Sequence, residues 1–170
     1  MPALRLLTDR LELVPLPAEA AAALPDDRET ACRALGARIA PEWPAPGLAG
    51  VLRRHAGATT QTERFGVWVM IERDCGIVVG DLGFRGPPDD AGSIELGYGV
   101  IPSRRGRGYA AEAARALVSW ARSQPSVRAI VAGCDPGNVP SIRTLQRAGF
   151  RRTGEAGGEI RWRHCLPPDP

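Results

Sequence analysis

Lysine is missing from this chain: all 22 basic side chains are arginine. The phosphate loop that ends in Gly-Lys-Ser/Thr is therefore excluded, and the dinucleotide pattern Gly-x-Gly-x-x-Gly is absent as well. Aromatic residues make up only 5% of the sequence, too few for the stacking platforms on which single-stranded nucleic acids are read. Cysteine is sparse and scattered (Cys32, Cys75, Cys134, Cys165), with no Cys-x-x-Cys pair and no histidine spaced to complete a zinc site. The thiols are expected to be reduced and mostly buried, His55 and His164 structural or solvated, and no metal is expected. No apolar run approaches the ~20 residues of a membrane-spanning helix, and the opening MPALRLLTDRLELVPL has neither a sustained apolar region nor a cleavage site. A soluble, cytoplasmic protein is expected, with no membrane and no nucleic-acid partner.

What is abundant carries more information. Glycine (20) and proline (16) are frequent, and with arginine and alanine they match a GC-rich bacterial genome. A chain of 170 residues suits one domain, residues 1–170, with a real core. The net charge of +3 hides an asymmetry: residues 1–100 hold 10 arginines against 14 acidic residues, whereas residues 101–170 hold 12 against 5. A basic second half suits a ligand carrying several phosphates, and an acidic first half suits a cationic one.

The chain is organised around Ser93 to Ala121, which reads as a strand, a loop dense in glycine and arginine, and an alanine-rich helix. Alternation puts Ile94, Leu96, Tyr98 and Val100 on one face of the strand, expected to be core. Glu95, Gly97 and Gly99 share the other, a carboxylate on a face kept bare by glycine so that another molecule can lie close. Arg104 to Gly108 then fall where the helix begins. Backbone N–H groups at such a start lack intrahelical partners, and glycines let them curl into a nest for phosphate oxygens.

The spacing Arg105-x-x-Gly108-x-Ala110 resembles the pyrophosphate-binding motif of the GNAT family of N-acetyltransferases, which bind acetyl-CoA. Flanking features agree: Ile101-Pro102 ends the strand, and Asn138-Val-Pro-Ser141 and Leu145-Gln-Arg-Ala-Gly149-Phe150 follow in order. Together with Thr8-Asp-Arg-Leu-Glu-Leu-Val-Pro15 they resemble the RimJ/RimL-like branch, the ribosomal-protein N-terminal acetyltransferases. The resemblance implies an α/β fold with a central mixed, mostly antiparallel sheet flanked by helices, its fourth and fifth strands splayed. It implies acetyl-CoA as co-substrate, with Arg105, Gly106, Arg107, Gly108, Tyr109 and Ala110 around the pyrophosphate. Backbone groups near Val100 would hold the pantetheine arm, and Asn138 its amide or the turn. The acceptor would be a primary amine: a protein or peptide N-terminus, or a small molecule. Such look-alikes commonly pair, so a homodimer is also open.

Pattern supplies the other elements. The sequence predicts a first strand over Leu4–Leu16, helices over Ala18–Leu24, Arg28–Ala40 and Leu48–His55, a hairpin of Phe65–Ile71 with Ile77–Phe84, and a strand over Val127–Cys134. Asn138 caps a helix with Pro140 in its first turn, Phe150–Thr153 pairs with Glu159–Trp162, and the terminal LPPDP frays. Gly80 and Gly83 are candidate bulges. Trp43, in the rigid Pro41-Glu-Trp-Pro-Ala-Pro46, is either a wall of the acceptor pocket or a plug at the core's edge.

Acetyl transfer to an amine needs a base for the nucleophile and a proton for the departing sulfur. An α-amine, with a pKa near ~8, asks little of its base, and Glu95 is the candidate, acting through water. Its competing role is as a solvated strand carboxylate or as a partner for one of the many arginines. Many GNAT members protonate the thiolate with a tyrosine where this chain has Leu145, a side chain with no proton to give. Ser141 becomes the candidate, its competing role being to help cap the helix. The alternative to an enzyme is a catalytically silent acyl-CoA-binding module.

Overall fold

The structure, a computed structural model, describes residues 4–57, 59 and 63–164; the closing LPPDP lies outside them. Two short strands, β1 (Leu6–Leu7) and β2 (Leu11–Pro15), open the chain and pair antiparallel, so the predicted single strand is broken at Thr8–Arg10. Helices α1 (Ala18–Ala23) and α2 (Arg28–Leu35) follow. The second is shorter than predicted: Gly36 takes a left-handed φ of 72° at its C-terminus, and the chain turns into β3 (Arg38–Ile39). A 3-10 turn (Pro46–Leu48) leads into α3 (Ala49–His55). Then come β4 (Val67–Glu72), β5 (Ile77–Phe84), β6 (Ser93–Val100), a second 3-10 turn (Pro102–Arg104) and α4 (Tyr109–Arg122). The chain ends with β7 (Ala129–Cys134), α5 (Val139–Arg147), β8 (Phe150–Ala156) and β9 (Glu159–His164).

The strands form one sheet in the order β1-β2-β4-β5-β6-β7-β9-β8, with β3 beside β5. Pairing is antiparallel except for β3 with β5 and β6 with β7. The one parallel central pair is joined by α4, since parallel neighbours need a crossover connection. Cross-strand registers sort the faces. Trp68, Leu82 and Tyr98 lie opposite one another on β4, β5 and β6, and Trp68 packs on Trp120 of α4 with ring centroids 5.2 Å apart. Tyr98 therefore faces the α4 side. Val69, Asp81 and Gly99 are likewise in register and face the other side, where α3 packs against β4.

Because β4 is covered on both faces, Val67 to Ile71 are all buried, whereas β8 at the sheet's edge buries only Phe150. The register shift between Met70 and Ile71 puts a bulge beside Gly80, as expected. Gly83 sits in regular pairing and is needed for another reason: a Cβ there would run into the Gly66 carbonyl. His55 is structural, its ring bridging the Leu16 carbonyl at 2.6 Å and the Val67 N–H. Of the described cysteines only Cys134 is buried, and Cys32 and Cys75 are half-buried, so the expectation of mostly buried thiols needs correcting. No described helix is long and apolar enough to cross a membrane, and the described residues hold no group of three or more metal-ligating side chains.

Candidate active site

Strands β6 and β7 pair only from Ser93↔Ala129 to Leu96↔Ala132. Beyond that point β6 runs on to Val100 and β7 to Cys134 with no bonds between them, so the fourth and fifth strands of the expected sheet open into a fork. Backbone direction within β6 follows from two bonds. The Ile101 N–H donates to Val79, and the Glu95 carbonyl accepts from the Arg85 N–H. Residues 95, 97, 99 and 101 thus address β5, and by alternation Tyr98 and Val100 point their N–H and C=O groups into the fork.

At the mouth of the fork the loop 105–108 enters α4. Gly106 and Gly108 have φ of 75° and 81°, a left-handed conformation that a side chain disfavours. From Gly106 to Ala111 no backbone N–H has an acceptor among the described residues; the first helical bond runs from Glu112 to Gly108, at 3.1 Å. These donors lie at the positive end of a 14-residue helix, and the loop they line is termed the cradle.

Side chains brace the cradle from behind. Tyr109 is buried, donates its hydroxyl to Glu72, and lies under the Arg10 guanidinium, 4.7 Å from the ring centroid. Only its backbone faces the cradle. Arg10 also donates to the Arg107 carbonyl at 2.9 Å and to Glu112 at 2.8 Å, and Thr8 donates to Glu112 at 2.6 Å. Burial raises the Glu112 carboxyl's pKa, but the bonds from Thr8 and Arg10 outweigh it and hold the group below its ordinary value. Glu72 gathers Tyr109, the Cys75 thiol and Arg104; the Tyr109 hydroxyl foremost pulls its pKa down to about 2. Arg105 turns back, its Nε donating to the Val100 carbonyl at 3.0 Å. The loop's arginines therefore serve largely to hold its shape, while Arg107 is exposed.

Across the fork, Asn138 caps α5, its Oδ1 accepting from the Ser141 N–H at 3.1 Å. The Ser141 hydroxyl is bonded to the Tyr98 hydroxyl at 2.8 Å. Tyr98 is expected to be core; instead it is half-buried, with its hydroxyl on Ser141, while Leu145 is at 0% exposure. Burial, only partly offset by the bond to Ser141, raises the Tyr98 pKa to about 12. The Ser141–Tyr98 pair is thus a protonated hydroxyl pair at the fork on the α4 side.

Glu95 lies on the opposite face, where its competing role is realised. Its Oε1 meets Arg85 Nε at 3.3 Å and Arg161 at 3.8 Å, and Arg161 meets Glu159 at 3.4 Å, giving a ladder of ion pairs across the sheet. On the same face Asp81, opposite Gly99, accepts from the Trp43 indole N–H at 2.7 Å. Trp43 is only 1% exposed. At that exposure it is packed as a plug at the core's edge, the second of its two expected roles. Arg28 holds it there, bonded to the Trp43 carbonyl at 2.6 Å.

Tyr98 and Asp81 are the residues that pattern reading missed. A phenol at a core position beside two glycines, and a lone carboxylate in the apolar run Ile77–Phe84, were the available signals.

Comparison with known proteins identifies the family and the fold. The family model described as acetyltransferase (GNAT) domain matches residues 10–151. YjdG of Bacillus subtilis (strain 168), an uncharacterized N-acetyltransferase, is 34% identical over 148 residues, covering 83% of this chain and 84% of its own. An acetyltransferase structure from Agrobacterium tumefaciens strain C58 superposes with a TM-score of 0.66 at 25% identity, covering 98% of this chain and 96% of that one. The coenzyme A complex of RimL, an α-N-acetyltransferase of ribosomal protein L7/L12, shares the fold with a TM-score of 0.68 at 15% identity over 98% of this chain and 100% of that one. The chain belongs to the GNAT family of N-acetyltransferases.

Proposed function

We propose that this enzyme transfers the acetyl group of acetyl-CoA to a primary amine, by direct attack of the amine on the thioester. The observation that carries the reading is the unbroken run of unpaired N–H groups from Gly106 to Ala111 at the mouth of an open strand fork. Those groups fit a diphosphate, and the free N–H groups of Tyr98 and Val100 fit the amides of an extended arm lying along β6 as an added strand. Arg105 already occupies the Val100 carbonyl, so the Val100 N–H is the partner left for that arm. Asn138 would fix the turn that offers Ser141.

Coenzyme A supplies the acetyl group as an activated thioester; this chain's residues do the remaining work. One of the N–H groups in the fork stabilises the developing oxyanion, a contribution of about 3 kcal/mol when geometry is preset. Ser141, with Tyr98 behind it, offers a hydroxyl proton to the departing sulfur from the α4 side. The acceptor arrives on the other face, over Gly97 and Gly99, where Glu95, held in its ion pairs with Arg85 and Arg161, orders water. Base and acid thus stand on opposite sides of the sheet. The ribosomal-protein enzymes among the structural relatives, RimL and a ribosomal-protein-S5-alanine acetyltransferase of Vibrio fischeri, make a protein N-terminal α-amine the first acceptor to try.

The test has two parts. Calorimetry with CoA should show saturable binding that Gly108→Val weakens at least roughly tenfold, since the side chain would strain the φ the cradle needs. A mass-spectrometric screen of free-N-terminal peptides, amino sugars and polyamines should then find a gain of one acetyl group that depends on acetyl-CoA. Absence of CoA binding ends the proposal.

A further inference from the structure

Two carboxylates stand on the face that the acceptor would approach, and their surroundings differ. Glu95 pairs with Val131 in the closed part of the fork and is neutralised by Arg85 and Arg161. Asp81 lies opposite Gly99, between the levels of Tyr98 and Val100 whose N–H groups are free. At about 3.4 Å per residue, Glu95 is roughly 13 Å deeper along β6. The neighbours of Asp81 across the sheet are Val69 on β4 and Gly99 on β6, with Trp43 laid over it. None carries a charge. Glu42, next in the chain to Trp43, is engaged with the N–H and hydroxyl of Ser103. One oxygen of Asp81 takes the indole N–H, and the other has no protein partner among the described residues. Gly99 puts no side chain over the carboxylate, where a Cβ would come into van der Waals contact at 3.9 Å from Oδ2 and 4.0 Å from Oδ1.

We propose that Asp81 is the carboxylate that binds the acceptor's ammonium group and takes its proton. The inference rests on the N-acetyltransferase reading above and assigns one of its roles. A carboxylate without a cation, one strand in from the fork and level with its open part, is a site that an ammonium ion completes. Trp43 holds it by the oxygen that does not face the acceptor, leaving Oδ1 to receive the amine. Burial, opposed only by that one hydrogen bond, raises the Asp81 pKa to about 6, so the group is ionised at neutral pH yet basic enough to hold a proton.

The step balances as follows. The ammonium nitrogen gives one proton to Asp81, and its freed electron pair forms the N–C bond while the C–S bond breaks with its pair on sulfur. A second proton leaves the nitrogen to water, and the sulfur takes one from the Ser141–Tyr98 hydroxyl pair. Asp81 then returns its proton to solvent and the hydroxyl pair regains one, so that an amide, a thiol and one free proton are the products.

The experiment compares the wild type with D81N and E95Q, using acetyl-CoA and the screened amine that is acetylated fastest, from pH 5 to pH 10. The wild type should lose kcat/KM below about pH 6, as Asp81 protonates. D81N should lose roughly 100-fold or more at pH 7, lack that acidic limb, and recover as pH passes the amine's own pKa, with CoA affinity unchanged by calorimetry. E95Q should keep the limb. A D81N enzyme with the wild-type profile, or with a loss that alkaline pH does not relieve, overturns the proposal. A second readout needs no turnover. Adding butylamine to the CoA complex should lower the pH at which the Trp43 indole N–H resonance shifts, with Trp43→Phe identifying that signal, because a bound cation favours the ionised carboxylate. An unmoved midpoint also overturns the proposal. If the midpoint moves but no amine is ever acetylated, Asp81 stands as an ammonium site and the transferase reading fails instead.

Discussion

Replacing Asp81 by asparagine should make this protein more stable at neutral pH while disabling it. The folded state holds the Asp81 proton more tightly than the unfolded chain does, its pKa moving from 3.8 to about 6 under burial. The sign is therefore the reverse of a salt-bridged carboxylate: stability falls as pH rises from about 4 to 6, and above that range the ionised group is a standing cost. At about 1.36 kcal/mol per unit a shift of about two units sets an upper bound of roughly 3 kcal/mol. The group keeps some contact with water, so about 2 kcal/mol is the expected gain in D81N. The carboxamide oxygen can still accept from Trp43, which retains the one hydrogen bond. For a chain of this length that corresponds to roughly 4–8 °C in Tm. Thermal unfolding of both proteins at pH 7.5 and pH 4 measures it, with the gain present at the first and absent at the second, where both side chains are neutral in the folded state. A Tm at pH 7.5 no higher than the wild type's, or an equal gain at both pH values, would refute the reasoning.

The remaining predictions concern the brace and the acid. Glu72→Gln loosens Tyr109 and Arg104 together and should lower both Tm and CoA affinity; because the Glu72 pKa is held down to about 2, the wild type's advantage should be full above about pH 4.5 and fade as pH falls toward 2. Ser141→Ala and Tyr98→Phe should each cut kcat by roughly tenfold to 100-fold with CoA affinity within about twofold, and the double variant should be little worse than the worse single one if the two hydroxyls act as a unit. Trp43→Phe removes the only hydrogen bond to Asp81 among the described residues and should destabilise, opposite in sign to D81N, as read from thermal unfolding at pH 7.5.

The sequence by itself determined the order of elements and the glycine-built loop that opens α4, because both rest on local rules. Gly106 and Gly108 declare a backbone that only glycine adopts easily, Asn138 declares a cap, and alternation in Ser93–Val100 assigns the faces of one strand without reference to any other. It also carried the departure at Leu145, since a position that lacks a donor is visible in one letter. What the tertiary structure decided was which side chains meet. Glu95 became one rung of an ion-pair ladder because Arg85 and Arg161, 10 and 66 residues away in sequence, converge on it. Tyr98 met Ser141, 43 residues along, only because β6 and α5 flank the same fork. Asp81 acquired its character from Trp43, 38 residues earlier, and from Val69 and Gly99, whose registers fix its face. The chain's pattern sets the periodicity of each element, but burial and charge pairing are sums over distant neighbours, and those are fixed only when the strands come into register.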